Sequence, residues 1–220
     1  IVWTGFPGPP GSSLAGAGPG PVTHLTGTLS ATNDTLTTER LSCTLRERPV
    51  TLQGRITELR ALPRIAIQAD WPEGSAVLKG IWQPDALAID ALDVSLGGSY
   101  VRVTGSVGRT AAVPSRLVLI GTVDLKSLEH IPGLPRAWLD VWQPDGTVAV
   151  QLRAHGSWAA WREIELSGVL QAEEIRLRAI PLRQMLVELQ QQQRTLSIRL
   201  LRSTLAGGRL AGQYILKDGE

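Results

Sequence analysis

A five-residue unit recurs along this chain: an apolar residue, any residue, glycine, any residue and a second apolar residue. Four copies are spaced 27, 26 and 25 residues apart, with their glycines at Gly27, Gly54, Gly80 and Gly105. Three further copies are spaced less regularly, at Leu119–Val123, Leu166–Leu170 and Leu210–Tyr214. A period of this length is typical of an array of similar supersecondary units. Because residues two apart face the same side of a β-strand, the unit predicts strands with one apolar face that carries the glycine.

A glycine on the apolar face of a strand has two explanations. It relieves crowding in a filled core or marks a β-bulge, or a series of such glycines lets the sheet curl tightly around its apolar side. The second explanation predicts a half-pipe. The function would then depend on what this half-pipe binds.

Period-two alternation of apolar and polar residues dominates the chain from Val22 onward. It is clearest in Val50–Thr57, Val101–Val107 and Val148–Ala154. Short alternating strands separated by Pro, Gly and Asp turns are typical of an antiparallel sheet with one solvated side. We therefore predict an all-β fold, a long curved antiparallel sheet of about a dozen strands built from repeated hairpins.

Two segments depart from this alternation. Asp124–Leu139 contains Pro132 and Pro135 and is predicted to form a short helical turn and a tight loop. Pro181–Gln193 begins with a residue suited to the first helical position and continues with apolar residues at helical spacing. It predicts one short amphipathic helix of about three turns.

Composition divides the chain into two parts. Residues 1–21 are rich in Pro and Gly and predict a linker or disordered segment. Residues 22–220 predict one repetitive β domain. The sequence does not begin with Met and stops at Glu220, so we expect a fragment of a longer protein. Cys43 is the only cysteine, which leaves no internal disulfide to form.

No motif in the sequence carries catalytic chemistry. His24, His130 and His155 lie in unrelated contexts without metal-ligand spacing. No nucleophile elbow or phosphate-binding loop is present, since strands rather than helices follow Gly97 and Gly207. The 22 basic and 20 acidic residues give a net charge of +2 without a basic stripe, so nucleic-acid binding is not expected. We predict a non-enzymatic protein without metal or cofactor.

Since no motif indicates catalysis, we predict the function from the expected shape of the sheet. Ten apolar residues of the alternating strands are predicted to line one concave face as lipid-groove candidates: Leu52, Ile56, Val101, Val103, Leu117, Leu119, Val150, Leu152, Ile164 and Leu166.

Tryptophans cluster near predicted turns and strand ends, where they either cap the rim of the sheet or contact lipid headgroups or a ligand.

Several longer segments resemble the AsmA-like proteins of Gram-negative envelopes and their TamB relatives. That family repeats a hairpin of an apolar strand, a Gly-Gly turn, a strand ending in the five-residue unit, and a Pro before the next strand. The resemblance covers residues 22–216 and is carried by Asp93–Val107, Val113–Pro114, Leu117–Leu119, Leu125–Leu139, Gly146–Gly156, Leu166–Leu170 and Leu201–Leu216.

The resemblance implies a long half-pipe whose apolar inner face carries phospholipid acyl chains across the periplasm. It implies a role in phospholipid transport and outer-membrane biogenesis, and an inner-membrane anchor outside this sequence. No catalytic residues come with the family. Three interpretations stay open: a lipid-binding or lipid-conducting envelope protein, a structural β-scaffold for protein–protein interaction, and a glycan-binding adhesin-like array whose tryptophans stack on sugars.

Overall fold

The computed structural model describes residues 22–45, 48–110, 112–130, 136–157, 164–178, 180–192, 195–205 and 207–217. These residues form thirteen strands: β1 (Val22–Ala31), β2 (Thr35–Leu45), β3 (Arg48–Thr57), β4 (Arg64–Trp71), β5 (Gly74–Trp82), β6 (Ala86–Leu96), β7 (Ser99–Gly108), β8 (Ser115–Asp124), β9 (Pro144–Gly156), β10 (Glu165–Leu177), β11 (Ile180–Gln192), β12 (Thr195–Leu205) and β13 (Gly208–Lys217). A 3₁₀ helix (Leu125–His130) and α1 (Arg136–Trp142) lie between β8 and β9.

All thirteen strands belong to one antiparallel sheet in which each strand pairs with its neighbours in sequence. β1 and β13 are the two edges of the sheet and do not pair with each other, so the sheet is open. This confirms the predicted all-β antiparallel array of hairpins. Since each strand has its main contacts with its two neighbours, the described residues do not form a second layer over the sheet.

The predicted helix over Pro181–Gln193 is wrong, because its described residues, 181–192, belong to strand β11. Its ladder with β12 shifts register on both sides of Leu186, and Gln184 has a φ of 51°. A β-bulge of this kind adds a residue, so Leu182 and Met185 face the same side although they are three apart. The bulge therefore gives the apolar residues the same three-residue spacing that they have in an amphipathic helix.

The short helical turn predicted in Asp124–Leu139 is present as the 3₁₀ helix. The predicted tight loop falls largely on residues 131–135, which lie outside the described residues, and α1, which begins at Arg136, was not predicted. Leu125 packs against a cluster formed by Val148, Ala172 and Ile175, the best-buried part of the sheet. The 3₁₀ helix therefore covers the apolar side of β9 and β10 at one end of those strands.

The predicted linker over residues 1–21 lies outside the described residues. The first described strand begins at Val22. Among the described residues, no helix has the length and apolar character needed to cross a membrane.

Candidate functional site

The ladder registers place apolar residues in rows that cross the sheet. Directly opposed residues of an antiparallel pair share a face, so following the pairs from strand to strand traces the side chains of one face. Three such rows, here called rows A, B and C, run side by side on a single face, which we call the apolar face.

Row A crosses all thirteen strands, and every member is apolar or glycine. Its members are Gly27, Leu41, Leu52, Ala69, Ala76, Val94, Val101, Gly121, Val150, Leu170, Val187, Leu200 and Gly212.

Row B also crosses all thirteen strands, with Thr38 as its one polar member. It consists of Leu29, Thr38, Gly54, Ile67, Leu78, Leu92, Val103, Leu119, Leu152, Gly168, Leu189, Ile198 and Tyr214. The hydroxyl of Thr38 donates a hydrogen bond to the carbonyl of Thr28 at 3.0 Å, so this polar group is satisfied locally.

Row C runs from β1 to β12, with Gln191 as its one polar member. It consists of Ala31, Leu36, Ile56, Ile65, Gly80, Ile89, Gly105, Leu117, Ala154, Leu166, Gln191 and Leu196. Between β5 and β10 all three rows are therefore wholly apolar.

The rows are half-buried rather than sealed in a core. Val103 is 8% exposed between its ladder partners Leu92 and Leu119, but Leu119, like most row members, lies between the buried and the exposed class. Adjacent side chains cover one another, and no second layer of described residues covers them all. The face is accordingly an apolar surface open to a ligand.

At several glycines on this face, the backbone of a neighbouring strand lies unusually close. A Cβ built on Gly54 would lie 2.9 Å from Cα of Ile67, and one on Gly121 would lie 2.7 Å from Cα of Val101. Real Cβ atoms do not come this close to a neighbouring backbone, so only glycine fits. Gly54 and Gly121 lie in rows B and A, so this crowding lies on the apolar side of the sheet.

A cavity of about 500 Å³ lies near the ends of β7–β11. Five of its lining residues are consecutive members of row C: Gly105, Leu117, Ala154, Leu166 and Gln191. A larger cavity, about 890 Å³, lies beside the 3₁₀ helix and α1, and it is polar, since Lys126 and Asp145 in its wall form an ion pair at 3.2 Å. The smaller cavity has a mixed lining, since Arg116, Arg153, His155 and Glu165 also border it.

The opposite face carries the charged network. Asp93 accepts hydrogen bonds from Nε of Arg102 at 2.6 Å and from the hydroxyl of Tyr100 at 2.6 Å. The Arg102 bond, assisted by the Tyr100 bond, lowers the pKa of Asp93 to about 2. Farther along the sheet, Arg176 and Arg183 lower the pKa of Glu174 through hydrogen bonds. The sheet thus separates an uncharged face from an ionic one.

Nine of the ten lipid-groove candidates lie in the three rows. Leu52, Val101 and Val150 belong to row A, Val103, Leu119 and Leu152 to row B, and Ile56, Leu117 and Leu166 to row C. Ile164 lies just before β10 and has no ladder partner among the described residues.

Other row members were not among the candidates. Ile65 and Ile67 carry the same alternation and could have been found by it. Leu92 follows a bulge, and Val187 and Leu189 lie in the segment expected to be helical.

Two tryptophans with described side chains are exposed at the ends of their elements. Trp82 ends β5 and stacks against the Arg109 guanidinium, which lies 4.9 Å from the ring centre. Trp142 ends α1. The side chains of Trp138, Trp158 and Trp161 lie outside the described residues.

Within the described part of the chain, no three His, Cys, Asp or Glu side chains are placed to hold a metal ion. Cys43 is buried opposite Val50, and burial raises the pKa of its thiol. Among the described residues, the apolar face is therefore the feature with the clearest capacity to bind a ligand.

No protein-family model, no curated protein and no solved structure matches this chain. The resemblance to the AsmA-like proteins therefore rests on the sequence motifs alone.

Proposed function

We propose that this chain binds acyl-chain lipid along its apolar face and conducts it across the sheet. The observation that carries the proposal is the continuity of rows A, B and C over twelve or thirteen strands on a face that the described residues leave open. The proposed ligand is a phospholipid or another lipid with a long alkyl chain.

The energetics favour a ligand of this kind. Burial of an alkyl chain yields about 0.8 kcal/mol per CH₂, or on the order of 10 kcal/mol for a whole acyl chain. No specific polar contact is needed for a gain of this size. This accounts for a binding surface without charged or catalytic side chains.

The dimensions favour conduction over a single fixed site. With strands about 4.8 Å apart, thirteen strands span roughly 58 Å along each row. One acyl chain spans about 15 Å, half of the hydrocarbon thickness of a bilayer. Between β5 and β10 a chain meets only apolar side chains and glycines, so its free energy changes little from one position to the next.

The resemblance to the AsmA-like proteins supplies the proposed setting. In that setting the chain is a periplasmic segment of a protein anchored in the inner membrane, with a role in phospholipid transport and outer-membrane biogenesis. The anchor lies outside this sequence. No enzymatic step is part of the proposal.

Two measurements test the proposal on the 220-residue chain. Mass spectrometry of the chain purified from a Gram-negative host should detect co-purifying phospholipid, and a fluorescent fatty acid should bind saturably and be displaced by unlabelled phospholipid. Transfer of a fluorescent phospholipid between donor and acceptor vesicles should accelerate when the chain is added. A chain that holds no lipid and binds no fatty acid would exclude the proposal.

A further inference from the structure

At one end of the strands the apolar face continues past row C by one more row. In β5, β6 and β7 the ladder runs without a register shift from row C to the residues two positions farther on, so both sets face the same side. The amide N–H of Trp82 donates to the carbonyl of Pro63 at 2.7 Å, which brings Pro63 alongside. These four apolar residues form row D: Pro63, Trp82, Leu87 and Val107.

Two exposed leucines lie next to row D. Leu59 and Leu62 belong to the loop between β3 and β4, and Leu62 directly precedes Pro63 of row D. The loop is closed at its base, because Nε of Arg64 donates to Oε1 of Glu58 at 3.0 Å. We call Leu59, Leu62 and the exposed Trp82 the apolar tip.

The main chain of this region is hydrogen-bonded internally. The amide N–H of Ala61 donates to the carbonyl of Glu58 at 3.0 Å, and that of Arg109 donates to the carbonyl of Asp85 at 2.9 Å. Every unsatisfied backbone group is costly in a lipid environment. These amides would add no such cost if the apolar tip entered the surface of a bilayer.

The side chains at the apolar tip have the character of a membrane interface. The Arg109 guanidinium stacks on Trp82 and donates to the carbonyl of Pro84 at 2.7 Å. Tryptophan is enriched where hydrocarbon meets headgroups, because its ring is apolar and its N–H is polar. The charges in and next to the three turns balance: Arg60, Arg64 and Arg109 against Asp34, Glu58 and Asp85. Apolar contact rather than net charge would therefore supply the affinity.

We propose that the apolar tip docks on the surface of a phospholipid bilayer, with the side chains of Leu59, Leu62 and Trp82 among the headgroups. The inference rests on the proposed function. Phospholipid resides in bilayers because water is unfavourable for each CH₂ of its acyl chains, so a chain that conducts it has to contact a bilayer. Row D joins the apolar tip to row C, so an acyl chain leaving the bilayer there would meet only apolar side chains.

Flotation of the 220-residue chain with phosphatidylcholine vesicles tests the docking. The parent should float with the vesicles, and added salt should leave its binding unchanged, because the charges balance. A chain that carries both Leu59→Ser and Leu62→Ser should bind at least tenfold more weakly, since two leucine side chains no longer leave water.

Ile120 and Val169 provide the matched control. These aliphatic residues of the ionic face are 53% and 39% exposed, against 48% for Leu62 and 38% for Leu59. A chain that carries both Ile120→Ser and Val169→Ser should float as the parent does. All three chains should have equal urea midpoints, because each replaced side chain is exposed.

A spin label reports the contact without relying on a loss of binding. Cys43 is buried, so a nitroxide reagent would react with a cysteine introduced at the surface. On Leu62→Cys the nitroxide should become more accessible to oxygen and less accessible to a polar relaxation reagent when vesicles are added. On Ile120→Cys it should not change.

Fatty-acid binding in solution separates this inference from the proposed function. The Leu59→Ser, Leu62→Ser chain should bind fatty acid as the parent does, because neither leucine belongs to a row. A parent that binds fatty acid but does not float, or that floats no better than the leucine variant, would overturn the docking and leave the lipid-binding face intact. A parent that floats through the leucines but binds no fatty acid would support the docking and exclude the proposed function. A concentration-dependent dimer that is lost in the leucine variant, without flotation, would make the apolar tip a contact between copies and overturn the inference.

Discussion

Gly54 lies beneath Ile67 of the neighbouring strand, with 2.9 Å between the position of a Cβ on Gly54 and Cα of Ile67. The carbonyl oxygen of Ala66 would lie 2.6 Å from the same Cβ. Both neighbours are backbone atoms, which cannot move aside as the end of a flexible side chain can. The glycine is therefore required by the close approach of β3 and β4.

Gly54→Ala should destabilise the fold by about 1–3 kcal/mol, the usual cost of overpacking. The matched control is Gly212→Ala at the uncovered copy of the unit, where the change in the free energy of unfolding should stay within about 0.5 kcal/mol. Urea unfolding of the two variants and the parent makes the comparison. Equal losses at both positions would show that the covering strand is not the cause.

Ser127 anchors the 3₁₀ helix to the sheet. Its hydroxyl donates to the carbonyl of Asp124 at 2.7 Å and lies 2.5 Å from the hydroxyl of Ser99, which accepts the amide N–H of Asp124 at 2.9 Å. Ser127→Ala should cost about 1–2 kcal/mol, since a buried hydrogen bond is worth about 1 kcal/mol. It should also speed amide hydrogen exchange in residues 125–130.

Ser167, an exposed serine of β10, provides the control for this change. Ser167→Ala should leave both the urea midpoint and the exchange rates of residues 125–130 unaltered. Unchanged exchange in the Ser127→Ala chain would mean that other contacts hold the 3₁₀ helix in place.

Asp93 should make the fold sensitive to acid. Its pKa in the folded chain is about 2, below the ordinary value of about 3.9 for an unfolded chain. The stabilisation is therefore present above about pH 4 and is lost as the pH falls toward 2. NMR titration of Arg102→Gln should show the Asp93 pKa rising toward its ordinary value, because the strongest hydrogen bond to the carboxylate is gone. A pKa that stays near 2 in that variant would assign the shift to Tyr100.

The face of a residue is predictable from sequence wherever a strand is regular. In Val101–Val107 the alternation of apolar and polar residues alone assigns Val101 and Val103 to the apolar face, and the ladder places them in rows A and B. A bulge breaks this alternation. In β6, Ile89 and Leu92 are three apart, yet their partners Gly105 and Val103 place both on the apolar face.

Row membership across the sheet is harder to predict than the face. It depends on the register of each hairpin, and turn geometry and bulges determine that register through contacts that no single strand contains. In β11 the local signal also pointed to the wrong structure, because Leu, Met, Gln and Glu favour helices and the bulge at Gln184 restores a helix-like spacing. Pairing with β10 and β12 overrides that preference.

Leu119 and Ile120 test the lipid-binding face directly, since these adjacent aliphatic residues point to opposite sides of β8. Leu119 belongs to row B, whereas Ile120 is 53% exposed and pairs with Arg102 on the ionic face. Leu119→Asp should weaken fatty-acid binding at least tenfold, because an alkyl chain arriving at the face must strip water from an unpaired carboxylate. Ile120→Asp, which introduces the same charge one residue away, should bind as the parent does.

Leu119 is a better probe than Val103, whose 8% exposure means that a carboxylate there would be desolvated even without lipid. Val103→Asp is expected to unfold the chain whether the face holds lipid or only supports the fold. Leu119→Asp should keep the chain folded, with an unfolding free energy reduced by about 1–3 kcal/mol, the usual range for a destabilising substitution. If Leu119→Asp stays folded and binds fatty acid as tightly as Ile120→Asp does, the apolar face is a structural surface and the lipid site lies elsewhere.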